Sequence, residues 1–572
     1  MKPTSMSVRN KVIIGVTLAA ALFFVLRLPG IHMPYHQDEW KNVSASMSIE
    51  SAGTFFAHPP FMQMFFVASN RLFGTDNMRL FPLIFALVSV VLFYLVVKRR
   101  VDVKAAVLAV LAYLVCFYGI LGSLQLDVDG SILPALFLLA VFAYDRLPGR
   151  KWLILLVATL LVGMLIKLNF ILVIGAIVLD YLWVNRLWVN RHDQIYRKVG
   201  IVAGSLVAFG AVYVALLYFI QAIYPAFSIS FMIGHANQFS DAVGRNWTQI
   251  IVQGVKAVYY LSPLLLVPLL WISKETIKRT RVFGLYLILG LIFYFVLFDF
   301  SRGALDKYLM FAIVPLAVMV GVILSEILGN VFKEGTLPRE RYTIYGITLG
   351  VGVVITVLLV ALNFLPQQVV ALYPKTEWFG RVLHGQWNVL TPLNGGSGPL
   401  GFYISFLFIA CSYIISLIVA VTAIIKKQWR FEATVVLILI GLAYNIIFAQ
   451  ELFFGGINGS APKVLNEAVK FIAESDHIKK VMTFNDIGAG PLSIMGKYAG
   501  RIYATPESEE GYRKKFSEFD GDYLVVDMPR LYSGGLYYRF FARCDVLFQS
   551  VSGNISGKVY DCSRARTIVK TL

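Results

Sequence analysis

The chain has 572 residues, 58% of them hydrophobic and 15% charged, with a formal net charge of +18. Soluble globular chains are nearer ~45–50% apolar and ~25% charged, so a purely soluble protein is excluded. The apolar excess is gathered into uncharged runs long enough to cross roughly 30 Å of hydrocarbon, which takes about 20 helical residues.

Helices are the expected spans, because lipid cannot satisfy exposed backbone N–H and C=O groups. In chain order the runs are 12–29, 80–97, 105–126, 131–144, 152–166, 168–184, 199–223, 257–273, 282–298, 308–325, 343–365, 399–425 and 433–449, thirteen in all. Those at 131–144, 152–166 and 168–184 are short or carry Asp180. The first follows basic residues as a signal peptide would. It continues into Arg27-Leu-Pro-Gly without a small-residue cleavage site, so it is read as an uncleaved anchor. With the N-terminus cytoplasmic and the helices alternating, the cytoplasmic segments hold 24 Lys and Arg and the opposite loops ten. This is the positive-inside bias, and it explains the net charge without nucleic acid. The odd count places residues 456–572 outside.

The loop at 30–79 is expected outside and carries the first candidates. His36-Gln37-Asp38-Glu39-Trp40 places two carboxylates directly beyond the first span. Asp38 and Glu39 could take a proton from a substrate hydroxyl or hold a divalent cation; as a plain helix start they would meet the dipole. From Asp38 to Ser51 and from Pro59 to Phe73 the spacing is helical. The second stretch brings Phe61, Phe65, Phe66 and Leu72 together, with Gln63 elsewhere, as an interfacial amphipathic helix would. His58-Pro59-Pro60 opens that helix.

Asp127 and Asp129 follow in a very short hairpin between two spans. Charge near hydrocarbon is usually functional, yet Asp129-Gly130 is equally an ordinary turn dipeptide. Lys167, in Gly163-Met-Leu-Ile-Lys167-Leu-Asn169, sits between two short spans, and Arg302 and Lys307 precede another. Such cations could be snorkelling toward headgroups or holding a phosphate at that depth.

Beyond 455 the composition changes to that of a small α/β domain. A helix is expected at Pro462–Ser475 and strands at Lys480–Phe484, Arg501–Ala504, Tyr523–Val526 and Val546–Val551. Cys544 and Cys562 share this tail, where oxidation permits a disulfide. Gly488-Ala489-Gly490 lacks the rest of a dinucleotide fingerprint.

Taken together, several motifs resemble the GT-C superfamily of polyprenyl-phosphate-sugar glycosyltransferases, and within it the protein O-mannosyltransferase and aminoarabinose-transferase branch. They are the Asp-Glu pair, His-Pro-Pro ahead of Leu72-Phe73-Gly74, Arg79-Leu80-Phe81-Pro82, Gly163–Lys167 and Lys307-Tyr308. The resemblance covers roughly 10–330. It implies an all-α polytopic membrane protein of the GT-C type, with a transmembrane glycosyltransferase domain over 1–455 and a small external α/β domain over 456–572. The implied reaction moves a sugar, with inversion, from a polyprenyl-phosphate donor to a lipid, glycan or protein acceptor hydroxyl on the non-cytoplasmic side. Asp38 would be the base, supported by Glu39. His58, Lys167, Arg302 and Lys307 would hold the donor phosphate, and Asp127 and Asp129 would be the second acidic position. No cofactor is implied; the acids admit a divalent metal ion. Aminoarabinose transferases often carry a Lys between the His and the prolines, which this chain lacks. A transporter or flippase of lipid-linked saccharides is the rival reading, weakened by mid-span positions nearly free of charge and by the lack of a repeat.

Overall fold

The computed structural model describes residues 8–47, 58–184, 192–237, 245–266, 271, 273–299, 305–333, 339–372, 375–393, 398–502 and 513–570. Among them seven helices are long and apolar enough to cross a membrane: Thr75–Arg100, Lys198–Ile223, Lys274–Leu297, Leu309–Gly329, Gly346–Phe364, Phe406–Ile425 and Lys427–Phe454. The apolar helices Thr17–Gly30, Ile132–Tyr144 and Leu168–Val184 are shorter, and Arg150–Ile166 has 17 residues.

Three expected runs are broken, each for a visible reason. The run at 105–126 is two helices, Val103–Val115 and Phe117–Leu124, bent by 65° at Cys116, whose backbone is extended. The break strands the Leu114 carbonyl. Arg27, fully buried, reaches it at 3.4 Å and donates to Ser123 Oγ at 2.9 Å and to the Phe23 carbonyl at 3.4 Å. Its guanidinium lies 4.5 Å from the Phe23 ring centroid. The run at 257–273 is interrupted between helices Trp247–Tyr259 and Pro263–Leu266, where Pro263 disfavours helix at Ser262; 267–270 lie outside the described residues. The run at 399–425 becomes helical only at Phe406, because Phe402–Ser405 is a strand. A short buried apolar segment has no periodicity that separates the two. Asp180 is neutralised by Arg281 Nε at 2.5 Å and accepts from Tyr144 at 3.0 Å, which makes a carboxylate tolerable there.

The chain divides into two compact units, residues 1–31 with 42–336, and residues 32–41 with 337–572. In the first, helix Pro60–Phe73 buries Met62, Gln63, Phe66 and Ser69 and leaves Leu72 69% exposed. Its packed face is therefore turned from the one expected, and Gln63 lies inside it.

In the second unit a short sheet pairs β1 (Gln368–Val369), β2 (Val389–Leu393) and β3 (Phe402–Ser405). A five-stranded sheet follows, made of β4 (Val481–Phe484), β5 (Tyr498–Ile502), β6 (Asp522–Val526), β7 (Asp545–Ser552) and β8 (Ile555–Asp561). Its order is β5-β4-β6-β8-β7. β4 runs parallel to β5 and β6, while β8 is antiparallel to β6 and β7. Period-two alternation covers both faces. Val481, Leu524 and Val526 pack with helix Ala461–Glu474. Met482, Tyr523 and Val525 pack with Phe516, Phe540 and Phe541. The strand expected at 501–504 starts three residues earlier, 503–504 lie outside the described residues, and β8 escaped the sequence reading. Cys544 and Cys562 form the disulfide that the sequence permitted.

Candidate functional site

The sequence candidates fall in both units, which are taken in turn. In the second, the backbone of Gln37 is left-handed at φ +46°, a conformation a residue with a Cβ rarely adopts and that clusters at functional sites. It turns the chain into helix Asp38–Met47, so both acids lie in a first turn, where the dipole favours them. Their environments differ. Glu39 is fully buried, whereas the Asp38 side chain is 34% exposed and pairs with Lys41 Nζ at 2.6 Å. Only Asp38 is open to an incoming hydroxyl. His36, also buried, is tied through Nδ1 to the Gly398 carbonyl at 2.9 Å.

Trp40, which the sequence reading passed over, is 7% exposed and meets Tyr498 edge-on at 6.3 Å between ring centroids. A Cβ at Gly490 would sit 3.4 Å from its ring. Tyr498 in turn donates to Asp486, which is fully buried and also paired with Arg501. The end of β4 therefore buttresses the segment that carries Asp38.

In the first unit the turn after helix Phe117–Leu124 brings together four charges far apart in sequence. Lys167 pairs with Asp129, and Lys307 Nζ lies 3.4 Å from Asp127 Oδ2. Side-chain exposure is 3% for Asp127, 6% for Asp129, 8% for Lys167 and 11% for Lys307, so these are not snorkelling cations. Both ammonium groups stand 4.9 Å from the Tyr308 ring centroid, within cation–π range. Tyr308 stacks on Tyr294 at 5.5 Å, and the Tyr294 hydroxyl accepts from Asn169 at 2.5 Å.

Two glycines make this possible. A Cβ on Gly130 would lie 2.3 Å from the Gly122 Cα, so the aspartate turn folds directly onto the preceding helix. Close approach, rather than a turn dipeptide, requires Gly130. A Cβ on Gly163 would strike the Phe170 ring at 2.1 Å. That ring packs back across the break at which Lys167 adopts extended backbone and ends helix Arg150–Ile166.

The four charges cancel. Burial raises the Asp129 carboxyl, against the pull of Lys167. For Lys167 burial acts downward, and Asp129, Asp127 and Tyr308 outweigh it, so the ammonium is held above its ordinary value. His58 is pushed down to about 3, first by burial and then by Lys167 and Lys307. It therefore supplies no charge at neutral pH, and its ring lies 5.8 Å from that of His235, a neighbour that no sequence signal announced. Arg302 lies outside the described residues. Among the described residues no group of three His, Cys, Asp or Glu side chains is placed to hold a metal ion.

Residues 57–221 match the dolichyl-phosphate-mannose-protein mannosyltransferase family. That stretch contains His58, Asp127, Asp129 and Lys167, while Asp38 and Lys307 lie outside it. Among solved structures the chain is similar to ArnT from Cupriavidus metallidurans bound to undecaprenyl phosphate, at 14% identity over 98% of this chain and 99% of that one, with a TM-score of 0.54. The apo form of that protein gives 14% identity over 97% and 99%, with a TM-score of 0.51. An Archaeoglobus fulgidus oligosaccharyltransferase is more distant, at 12% identity over 90% and 69% and a TM-score of 0.42. No curated protein matches the chain in sequence. At these identities the likeness is one of fold. The chain is a multi-pass membrane protein of the ArnT-like GT-C fold, and the resemblance read from its sequence holds at that level.

Proposed function

We propose that this protein is an inverting glycosyltransferase that moves a sugar from a polyprenyl-phosphate donor to an acceptor hydroxyl on a lipid, glycan or protein, outside the cytoplasm. The observation that carries the reading is the buried Lys167–Asp129 and Lys307–Asp127 cluster in a fold that ArnT uses while bound to undecaprenyl phosphate. A lipid phosphate needs cations at headgroup depth, and carboxylate partners keep two lysines charged there when no phosphate is bound.

In this mechanism the acceptor O–H gives its proton to Asp38, the exposed acid of the pair. Its oxygen attacks the anomeric carbon from the face opposite the phosphate. As that bond forms, the bond from the anomeric carbon to the phosphate oxygen breaks, and its electron pair leaves with polyprenyl phosphate. The leaving group gains one negative charge, which Lys167 and Lys307 meet with already oriented donors. Arg302 is a third cation for the same role, and neutral His58 offers an N–H. Glu39, being buried, shapes the turn. The basic inner segments support a cytoplasmic N-terminus. The Cys544–Cys562 disulfide supports an external tail, since such bonds persist in oxidising compartments.

The test is to incubate the purified protein in lipid with a panel of polyprenyl-phosphate sugars and to read the anomeric configuration of the product by NMR. Inversion with one donor, lost in Asp38→Asn, is expected. Retention of configuration would overturn the direct displacement.

A further inference from the structure

A cavity of about 470 Å³ opens in the second unit beside β6 and β8, within the ~300–1,000 Å³ of small-molecule pockets. It lies outside the carboxyl end of β6, where ligands of open α/β sheets bind. Its lining includes Arg381, Asp527, Arg530, Lys558, Tyr538 and Tyr560. One acid faces three cations: Arg530 Nε lies 3.2 Å from Asp527 Oδ2, Lys558 acts on the same carboxylate, and Arg530 Nη1 donates to the Val369 carbonyl at 3.3 Å. Arg381 and Lys558 make no ion pair among the described residues.

Lys558 is opposite Val525 in the β6–β8 register. By alternation it shares a sheet face with Tyr560, whose ring stacks on Phe541 at 5.0 Å. Gln549 lies opposite Lys558 on the other side, and Asp527 is the one acid near it in the lining, so the cavity keeps a positive surplus. Tyr538 is 49% exposed, and an exposed ring in a cavity with three cations to one acid suits a sugar's C–H face with a negative group attached.

We propose that this cavity binds an anionic saccharide. Arg381 and Lys558 take the charged group, and the tyrosines take the ring. Only its use as an acceptor subsite rests on the glycosyltransferase reading; binding itself does not.

The test is isothermal titration calorimetry on the full-length protein in nanodiscs, with mannose 6-phosphate, mannose and inorganic phosphate as probes. Saturable binding of mannose 6-phosphate is expected, about tenfold or more tighter than either other probe, since each lacks one half of the recognition. Lys558→Gln and Arg381→Gln should each weaken it about tenfold, and Tyr538→Ala should weaken mannose 6-phosphate but not phosphate. The inference is overturned if nothing binds, if phosphate or mannose alone binds as tightly, or if binding survives the Lys558→Gln, Arg381→Gln double variant. Survival there with loss in Lys307→Met would identify the donor site instead. Asp38→Asn should bind as the parent does, so failure of the transfer reaction and failure of this site are told apart.

Discussion

Replacing Lys167 by Met should destabilise the protein by about 3–5 kcal/mol, the penalty for leaving one partner of a buried ion pair uncompensated. The structure sets that scale. Lys167 and Asp129 are 8% and 6% exposed, and Asp127 already pushes the Asp129 carboxyl up. Removing the ammonium leaves two buried acids facing one remaining lysine. Adding Asp129→Asn removes the orphaned charge without changing shape, so the double variant should recover most of the loss. The two substitutions should couple by several kcal/mol in a double-mutant cycle. Transfer should not recover, because the cation that meets the leaving phosphate is still absent; one such donor is worth ~10²–10³ in rate. Unfolding in nanodiscs and turnover would be measured on all four proteins. If the single and double variants are equally stable, the pair does not hold the turn. If the double variant transfers at the parent rate, the phosphate is held elsewhere.

The other predictions concern the acids, the buttress and the tail. Asp38→Asn should abolish transfer with folding intact, whereas Glu39→Gln should change stability more than turnover; the reverse pattern, read by turnover and thermal unfolding, would exchange their roles. Trp40→Ala should lower transfer with the tail still folded, since its ring links Asp38's segment to Tyr498 and Gly490; unchanged turnover would refute the buttress. Asp522 lies opposite Asp561 in the sheet, and burial, then Asp561, raises it to about 6. Its folded value thus lies above the unfolded one, ~3.9. The protonated acid favours folding below about pH 4, and that stability is lost as the pH rises through about 6. Hydrogen exchange at β6 and β8 in the full-length protein should speed up over that window, and less so in Asp522→Asn. Parallel profiles would refute the assignment.

How much of this was legible depended on the range of the interaction involved. Apolar runs and helical spacing are local, so the long helices, Asp38–Met47, Pro60–Phe73 and four of the five tail strands could be read directly. β8 carries Gly557 and Lys558 where a strand usually shows apolar alternation, and its pairing with β6 and β7 supplies what its own residues lack. The carbonyl freed by the break at Cys116 is met by Arg27, which reaches Leu114 from 87 positions away. The site shows the same limit. Each charge was identifiable by its depth beside a span, but which acid meets which lysine was not, because 38 positions separate Lys167 from Asp129 and 180 separate Lys307 from Asp127. Tyr308 was visible through its pairing with Lys307, whereas Trp40 looked like any apolar helix residue and no motif marked His235, which helix Ile229–Asn237 carries.

The most direct measurement follows a doubly labelled donor, with isotope in the sugar and in the polyprenyl phosphate, in vesicles holding the purified protein. The labels should part, with sugar appearing on an acceptor and polyprenyl phosphate released, and should stay together in Asp38→Asn. If the labels cross the bilayer together with the glycosidic bond intact, in both proteins, the molecule is a carrier and not a transferase.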